Sequence, residues 1–340
     1  MKPQQADAHK QPAHPPYKWP TNAYPMHEFG VMAARATRSS RTAARVALSA
    51  RIRDAEAVAT GPLGALSHDE LGVIFDGLAD PLQPVVAVAL SSTCLGLRTP
   101  LRAALELLKE RHERAVALCR KVGTSCAALR DAEELAWQAK GLTTDDMATL
   151  AMILRTNGLP RLMTRLTLDQ NFLGDAGVQA LCEALGHGAA PSLQELGLML
   201  NNIGQVGTEA VAAALRRGAV PKLNTLLLAG NDIDDQGVAA LAEPLRTLPA
   251  LERLYLVGCG FGDEGVASLF VNLGKDDFKH LEVLWLSNND ISDVGMATLL
   301  TALNAGGLPE LIDDELKLVN VPASTAAVQA VHDVLAKRLQ

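Results

Sequence analysis

Aromatic side chains are scarce in this chain, since Phe, Trp and Tyr together make up 4% of the residues. A core with few rings has to be built from Leu, Ala and Val, which suits the close stacking of short strands and helices. Long apolar runs are also lacking, because none approaches the roughly 20 residues that a membrane-spanning helix needs. We therefore expect no membrane partner.

Cysteine and positive charge are limited too. The five cysteines are an odd number and none lies in a C-x-x-C pair, which excludes a typical zinc site and a disulfide framework. They indicate reduced thiols in a cytoplasmic and/or nuclear protein. The net charge of -7 argues against a general nucleic-acid binder, which usually has a basic face.

The common catalytic signatures are missing as well. The sequence contains neither the phosphate-cradling G-x-x-x-x-G-K-[ST] nor G-x-S-x-G nor H-E-x-x-H, and its eight histidines are dispersed. Each of these motifs places a nucleophile, a phosphate-binding loop or metal ligands at the spacing that its chemistry requires. Their absence predicts a protein that is not an enzyme and that uses no cofactor and no metal.

What the chain does contain is a recurring pattern of strand, turn and helix. In residues 193–220, Leu193, Leu196 and Leu198 alternate as in a strand with one buried side, and Asn201 follows in a turn before a helix-spaced stretch. The pattern L-x-x-L-x-L returns at a period of about 28 to 31 residues. It occupies residues 132–137, 163–168, 193–198, 223–228, 251–256 and 281–286. One copy cannot bury its apolar faces alone, so the copies must stack.

This pattern resembles the leucine-rich repeat family, in its long, ribonuclease-inhibitor-like class. The resemblance implies an α/β fold, a leucine-rich repeat solenoid shaped as a horseshoe with a parallel sheet inside and helices outside, preceded by a small all-helical unit. A polar residue after each strand is expected to hydrogen-bond the backbone of the sharp turn. These structural turn residues are Asn171, Asn201, Asn231, Cys259 and Asn289.

The helical half of each repeat carries further signals. Acids just before each helix, such as Asp175, Asp235 and Asp263, are expected to cap it, because negative charge is favoured at a helix N-terminus. Pro244 predicts a short or kinked helix in its repeat. In the next repeat the apolar spacing predicts a helix that reaches Leu273. After Leu311 the strand pattern stops, and residues 324–339 are predicted to form a closing cap helix.

Strand residues between the buried leucines point into the concave side and are the expected partner-binding positions. Buried strands do not require Trp or Tyr there, and Trp285 beside Tyr255 is typical of an interface hot spot. Alternatively, these rings only cover the sheet near its C-terminal end or pack on the final cap. The predicted set for a protein partner is Arg165, Asp169, Glu195, Met199, Leu227, Arg253, Tyr255 and Trp285.

A different pattern precedes the repeats. An apolar stripe at Leu66, Leu71, Ile74 and Phe75 is followed by Ser92-x-Cys94-x-x-Leu97-Arg98. This stretch resembles an F-box, although Ser67 stands where the family usually has proline. The resemblance implies docking on a Skp1-like adaptor of a ubiquitin ligase through the exposed part of the stripe Leu66, Leu71, Ile74 and Phe75. Alternatively, the helices are a cap that closes the end of the repeat array.

These patterns divide the chain into a basic arm at 1–60, disordered or partly helical, an F-box-like helical unit at 61–123, and a repeat domain with its capping helix at 124–340. The arm suits a solvated linker, a contact for an acidic partner or a targeting segment. We expect a monomeric, non-enzymatic protein–protein interaction module, which the F-box resemblance would make a substrate receptor of a ubiquitin ligase. The alternatives are a regulator that resembles the GTPase activator of Ran and a plain repeat scaffold.

Overall fold

The computed structural model describes residues 68–92, 101–156, 163–186, 188–274 and 276–338. The predictions for the basic arm at 1–60 and for Leu66 lie outside these residues. None of the helices described is long and apolar enough to cross a bilayer.

A parallel sheet of seven strands, in the order of the sequence, runs through the repeats. The strands are β1 Glu134–Ala136, β2 Arg165–Thr167, β3 Glu195–Gly197, β4 Thr225–Leu227, β5 Arg253–Tyr255, β6 Val283–Trp285 and β7 Leu316–Lys317. Equivalent leucines pair in register, for example Leu166 with Leu196 and Leu196 with Leu226. All six predicted strands are therefore confirmed, and β7 is an additional one.

A helix follows each of the first six strands, which confirms the predicted α/β repeat solenoid. These helices are α5 Thr144–Arg155, α6 Gly174–Gly186, α7 Gln205–Arg216, α8 Asp234–Thr247, α9 Asp263–Phe270 and α10 Asp293–Asn304, and α11 Thr325–Arg338 follows β7. Val331 and Leu335 of α11 are buried in the common core, so α11 covers the last repeat as the predicted cap.

The N-terminal helices form a small unit with a core of its own. They are α1 His68–Leu78, α2 Val85–Ser92, α3 Arg102–Val122 and the short α4 Cys126–Arg130. Phe75 and Leu108 belong to the small core, whereas Leu118 and Val122, from the second half of α3, belong to the core of the repeats. The packing therefore changes within α3 and not at residue 123, and α3 acts as a helical cap on the first repeat.

Asparagine side chains join successive turns in the way the sequence predicts. Asn231 is 3% exposed; its Oδ1 accepts hydrogen bonds from the backbone N–H groups of Asn201 (2.9 Å) and Ile203 (3.1 Å). Its Nδ2 donates to the carbonyl oxygens of Leu198 (2.9 Å) and Leu228 (2.7 Å). Asn171, Asn201 and Asn289 are buried in equivalent positions and make equivalent bonds. Each asparagine thus satisfies buried backbone groups of two neighbouring repeats.

Cys259 occupies the same turn position with weaker bonds. Its Sγ lies 3.5 Å from the carbonyl oxygen of Leu228 and 3.8 Å from that of Val257. A thiol has no equivalent of the amide oxygen, and the N–H groups of Ile233 and Asp234 donate instead to the backbone carbonyl of Cys259. Complete burial raises the pKa of Cys259 to about 12, so the side chain is a neutral thiol.

Asp146 caps its own helix through Thr143, as expected. Asp235 and Asp263 instead cap the helix of the following repeat, which corrects the local capping expected for them. Asp263 Oδ1 accepts from the N–H groups of Ser292 and Gly295, both at 2.8 Å, at the start of α10. Asp235 bonds Gly262 and Gly265 in the same way, at 2.8 and 2.7 Å. The carboxylate comes so close that a Cβ at position 295 would lie 2.5 Å from Asp263 Oδ1, which explains the glycine there.

The series of capping acids is interrupted at Gln205, and the helix that follows is capped by one of its own residues. Gln205 stands where the other repeats have the acid, and its amide bonds Glu209 of its own helix. The next helix, α8, brings its own cap: Asp234, at a φ of 60°, accepts from the N–H groups of Gln236 (2.9 Å) and Gly237 (3.0 Å). The starts of α7, α8, α9 and α10 are therefore capped by one device or the other.

Replacing Asp263 by alanine should lower the free energy of unfolding at pH 7 by about 1 to 2 kcal/mol, the usual cost of losing a cap. Burial alone would raise the pKa of Asp263, but the hydrogen bonds from the hydroxyl and N–H of Ser292 and the N–H of Gly295 outweigh it, and the pKa is lowered. Because the pKa of Asp263 is lower in the folded protein than its unfolded value of about 3.9, the carboxylate stabilises the fold at any pH above that value. This stabilisation is lost as the pH falls through the folded pKa.

Urea unfolding at pH 7 and pH 3 measures this effect. The difference between wild type and Asp263→Ala should shrink at pH 3. Gln205→Ala is the matched control, because Gln205 has the same repeat position without the bond to the next repeat, and it should change stability by less than about 0.5 kcal/mol. Equal losses for the two variants would contradict the role given to Asp263.

Pro244 does not shorten its helix as one of the two predicted outcomes required, because α8 continues to Thr247 and is the longest of the repeat helices, with 14 residues. Proline has no N–H and leaves the carbonyl four residues earlier without its helical partner. That carbonyl, of Ala240, accepts from Arg216 Nη2 of the preceding helix at 3.3 Å. Helix α9 is the short one: it ends at Phe270 rather than reaching Leu273, and Arg246 donates to the carbonyls of Ser268, Leu269 and Val271 at its end.

The expectation that the repeat pattern stops after Leu311 is also wrong. Asp313–Glu315 forms a 3-10 helix, and Leu316 and Lys317 then pair with Leu284 and Trp285 of β6. The 3-10 turn takes up the extra residues, so that Leu316 and Leu318 still enter the core. Because this inserted turn changes the spacing of the leucines, a search for strands at a fixed period misses β7.

Candidate protein-binding face

The outward side chains of β1 to β7 and of the residues that follow each strand form one surface, which we call the sheet face. The structure places the eight predicted partner-binding residues on it, each exposed or partly exposed: Arg165, Asp169, Glu195, Met199, Leu227, Arg253, Tyr255 and Trp285. They do not form one uniform surface, because their neighbours differ from one end of the sheet to the other.

Apolar and aromatic residues form a continuous row at the C-terminal end of the sheet face. Leu227 pairs in register with Tyr255, Tyr255 with Trp285, and Trp285 with Lys317. The rings of Tyr255 and Trp285 meet edge to face, with centroids 4.8 Å apart and planes at 73°. We call these four residues the aromatic row. Lys317 could not be placed there from the sequence, because β7 was not predicted.

The N-terminal end of the sheet face is charged but internally paired. Arg165 bonds Glu195 at 2.9 Å and lies 3.6 Å from Glu134, on the strands to either side. Toward the other end, on β5, Arg253 is paired with its chain neighbour Glu252 at 3.3 Å. Exposed pairs of this kind contribute little to stability, but they leave little uncompensated charge for a partner. The arginines are therefore weaker candidates for partner contacts than the rings.

Asp169 is the carboxylate on this face with the most altered titration. Its Oδ1 accepts a hydrogen bond from the N–H of Met199 at 2.7 Å. Burial raises the pKa of Asp169 to about 6; the bond from Met199 opposes this rise, and the nearby charge of Glu195 adds to it. The side chain therefore gains its charge close to neutral pH, next to the partly exposed Met199.

Asp169→Asn keeps the acceptor for Met199 N–H and removes the charge. A raised folded pKa gives stability that is fully present below the unfolded pKa of about 3.9 and is lost as the pH rises through the folded value. The variant should therefore match wild type near pH 4 and be more stable at pH 8 by about 1 to 2 kcal/mol. Urea midpoints at the two pH values measure this, and an unchanged or lower midpoint at pH 8 would contradict it.

Several positions expected to point outward are buried instead. The alternation also predicts that the residue directly after the last leucine of each strand points outward, but Ala229, Val257 and Ser287 at this position are buried. The Ser287 hydroxyl accepts from the N–H of Val319 at 3.0 Å. Thr225 and Val283 are also buried. These side chains are small and lie in a sheet with larger neighbours, so the alternation of the strand does not make them accessible.

Phe172 is a surface residue that the sequence analysis did not select. It is 69% exposed and lies in the turn after β2. Other repeats have glycine or a polar residue at this place, such as Gly141, Asn202 and Asp290. An aromatic residue where the other copies are polar was the signal that would have found it.

The docking role expected for the apolar stripe of α1 needs correction. Phe75 is 1% exposed and Leu71 6%, and Ile74 packs partly against the same small core. They are turned inward because α1 needs an apolar face against α3. Other aliphatic residues are exposed on these helices: Val73 (74%), Val85 (66%) and Leu107 (45%).

The four cysteines within the described residues are free thiols. In the same part of the chain, no group of three or more His, Cys, Asp or Glu side chains gathers as a metal site would require. The sheet face itself presents ring faces, aliphatic groups and paired charges.

The fold and its open sheet face define a repeat solenoid of alternating parallel strands and helices. Residues 221–242, 248–270 and 279–300 match the family model described as Leucine Rich repeat. These repeats are thus leucine-rich repeats, which generally mediate protein–protein interactions and typically form non-enzymatic scaffolds. A search of curated proteins found no match.

Proposed function

We propose that this protein is a non-enzymatic interaction module that captures a protein partner on its sheet face, through the aromatic row. The observation that carries the proposal is the Tyr255–Trp285 pair, which is partly exposed in the middle of a row that spans four strands. A sheet whose other face is filled by leucines does not need rings on this one, so their presence is not explained by folding alone.

The composition of the row indicates the kind of partner. Trp and Tyr are the residues most enriched among interface hot spots, because they bury a large apolar area and lose few rotamers. Lys317 closes the row on one side and Leu227 on the other. A protein segment with apolar side chains beside an acidic one would match both ends.

Photo-crosslinking tests the assignment of the face. A photoreactive amino acid at position 227, within the row, is compared with one at Gln179, which is exposed on α6 away from the strands. A protein crosslinked from position 227 and absent from position 179 would support the proposal. A protein crosslinked equally from both positions, or only from position 179, would overturn it.

The helical unit supports a second proposal, that it docks on a Skp1-like adaptor and makes the protein a substrate receptor of a ubiquitin ligase. Three exposed aliphatic residues favour it, one from each of α1, α2 and α3: Val73, Val85 and Leu107. They replace the buried Leu71 and Phe75 as the contact residues. A contiguous exposed apolar patch marks an interaction site, and we take these three residues to form one.

Purified Skp1 provides the direct test of this second proposal. Wild type should bind Skp1, and the pair Val73→Asp and Val85→Asp should lower the affinity at least tenfold, or about 1.4 kcal/mol. Asp76→Ala, also at an exposed position of α1, is the control and should bind like wild type. Failure of the folded wild type to bind Skp1 would refute the substrate-receptor proposal and leave the helices as a cap.

Other finer expectations remain proposals with simple tests. The ribonuclease-inhibitor-like class is supported by a full helix in nearly every repeat. Light scattering in solution tests the monomer, and imaging of the tagged chain tests cytoplasmic and/or nuclear localisation. Stimulation of GTP hydrolysis by Ran would overturn the non-enzymatic proposal in favour of the activator-like alternative.

A further inference from the structure

Two cysteines meet where the helical unit joins the first repeat. Cys119 lies in the last turn of α3, and Cys126 is the first residue of α4. Gly123, between them, ends α3 with a left-handed φ of 81° and turns the chain back. The two Sγ atoms lie 3.6 Å apart. The cysteine spacing in the sequence gave no sign of this pair.

The two thiols differ in access to solvent. Cys119 is 2% exposed and packs in the core of the repeats, whereas Cys126 is partly exposed. Burial raises the pKa of Cys119 to about 12, and the hydrogen bond and charge of Cys126 add to the rise. A reagent in solution therefore reaches the sulfur of Cys126 first, and the sulfur of Cys119 lies buried beside it.

We propose that Cys119 and Cys126 form a reversible oxidation site, at which a small-molecule disulfide of the glutathione type converts the two thiols into an intramolecular disulfide. The geometry carries the proposal, because one exposed and one buried sulfur are already in contact. The gap of 3.6 Å has to close to about 2 Å, the length of a disulfide bond.

The reaction takes two exchange steps. Cys126, as its thiolate, attacks one sulfur of glutathione disulfide, forms a mixed disulfide and releases one glutathione thiolate. Cys119 then loses its proton and attacks Cys126 Sγ, the mixed disulfide bond breaks, and the second glutathione leaves as a thiolate; the two released thiolates take up the protons of Cys126 and Cys119. Two protein thiols and one glutathione disulfide thus become one protein disulfide and two glutathione thiols.

The bond would act on the junction between the cap and the repeats. The last turn of α3 contributes Cys119 and Val122 to the core of the repeats, and α4 leads directly into β1. A disulfide would tie α3 to α4, next to the ion pair of Lys121 with Asp146, which joins α3 to α5 and whose atoms are 2.5 Å apart. Amide exchange between residues 119 and 130 should therefore be slower in the oxidised protein.

Treating the full-length chain with glutathione disulfide tests the proposal, in a Cys94→Ser background because Cys94 lies outside the described residues. After denaturation and alkylation, peptide mapping should show Cys119 joined to Cys126, with Cys182 and Cys259 alkylated as free thiols. Dithiothreitol should restore both thiols. Two free thiols after oxidation, or a stable mixed disulfide at Cys126 with Cys119 free, would overturn the proposal.

Single variants distinguish the two roles. Cys119→Ala should accumulate Cys126 as the mixed disulfide with glutathione, because no second thiol can displace it. Cys126→Ser should leave Cys119 unmodified, because the buried sulfur is out of reach. Circular dichroism and the native resistance of Cys182 and Cys259 to alkylation confirm that each variant is folded. Rapid oxidation of Cys119 in folded Cys126→Ser would contradict the assigned order.

Discussion

Asn231→Ala should lower the free energy of unfolding by about 4 kcal/mol, a large share of the stability of an ordinary domain. Asn231 is 3% exposed, and its amide holds two N–H groups and two carbonyls, at distances from 2.7 to 3.1 Å. Alanine would leave all four without that partner, and each buried polar group that loses its bond costs about 1 to 3 kcal/mol. The midpoint and slope of urea unfolding measure the loss.

Two controls separate the amide bonds from the general effect of changing a turn. Asp232→Ala changes the exposed neighbour and should alter stability by less than about 0.5 kcal/mol. Cys259→Ala changes the equivalent turn residue of the next repeat, where the thiol makes only contacts of 3.5 and 3.8 Å. Its cost should be less than half that of Asn231→Ala. If alanine lowered the free energy of unfolding equally at positions 231 and 259, the loss of side-chain volume, and not the loss of the amide bonds, would explain the effect.

The strand leucines and turn asparagines were predictable because they depend only on residues within one repeat. Burial of Leu196 and Leu198 follows from alternation, and the position of Asn201 follows from the turn after them. Because each repeat must stack on its neighbours, equivalent residues of successive repeats are expected to align, and the register of the strands confirms this.

The features that were predicted wrongly depend on contacts with residues distant in the sequence. Pro244 is tolerated because Arg216 of the preceding helix donates to the carbonyl that the proline leaves free. Asp263 caps the next helix because the repeats stack with the start of α10 against it. The inward turn of Phe75 depends on α3, far along the chain. Patterns within a short stretch of sequence hold no information about such contacts between distant residues.

The candidate site was predictable in part for the same reason. The register placed Tyr255 and Trp285 side by side, and the structure shows their rings in contact. Alternation also suggested that Val283 and Ser287 would be accessible, but both are buried. Lys317 was missed because the 3-10 turn at Asp313–Glu315 interrupts the spacing on which the strand search relied.

Trp285→Ala combined with Tyr255→Ala should weaken partner binding at least about 30-fold, the effect of removing a hot spot worth about 2 kcal/mol. Both rings stand on the surface of strands whose leucines remain in place, so the fold should survive. The lost edge-to-face contact contributes about 1 kcal/mol to stability. Trp285→Phe keeps part of the apolar area and should retain intermediate affinity.

A control on another surface shows whether the effect is specific to the row. Val294→Ala removes a side chain that is 65% exposed in the first turn of α10. It should bind the partner like wild type, with a free energy of binding within about 0.5 kcal/mol. A similar loss from Val294→Ala would mean that the partner contacts the helix starts rather than the aromatic row.

The most direct test of the account is calorimetric titration of the partner crosslinked at position 227 against wild type and the Tyr255→Ala/Trp285→Ala variant, after circular dichroism and urea unfolding have shown both to be folded. The account predicts saturable binding to wild type and a dissociation constant at least about 30-fold higher for the variant. Equal dissociation constants for the two folded proteins would show that the sheet face does not bind through its aromatic row.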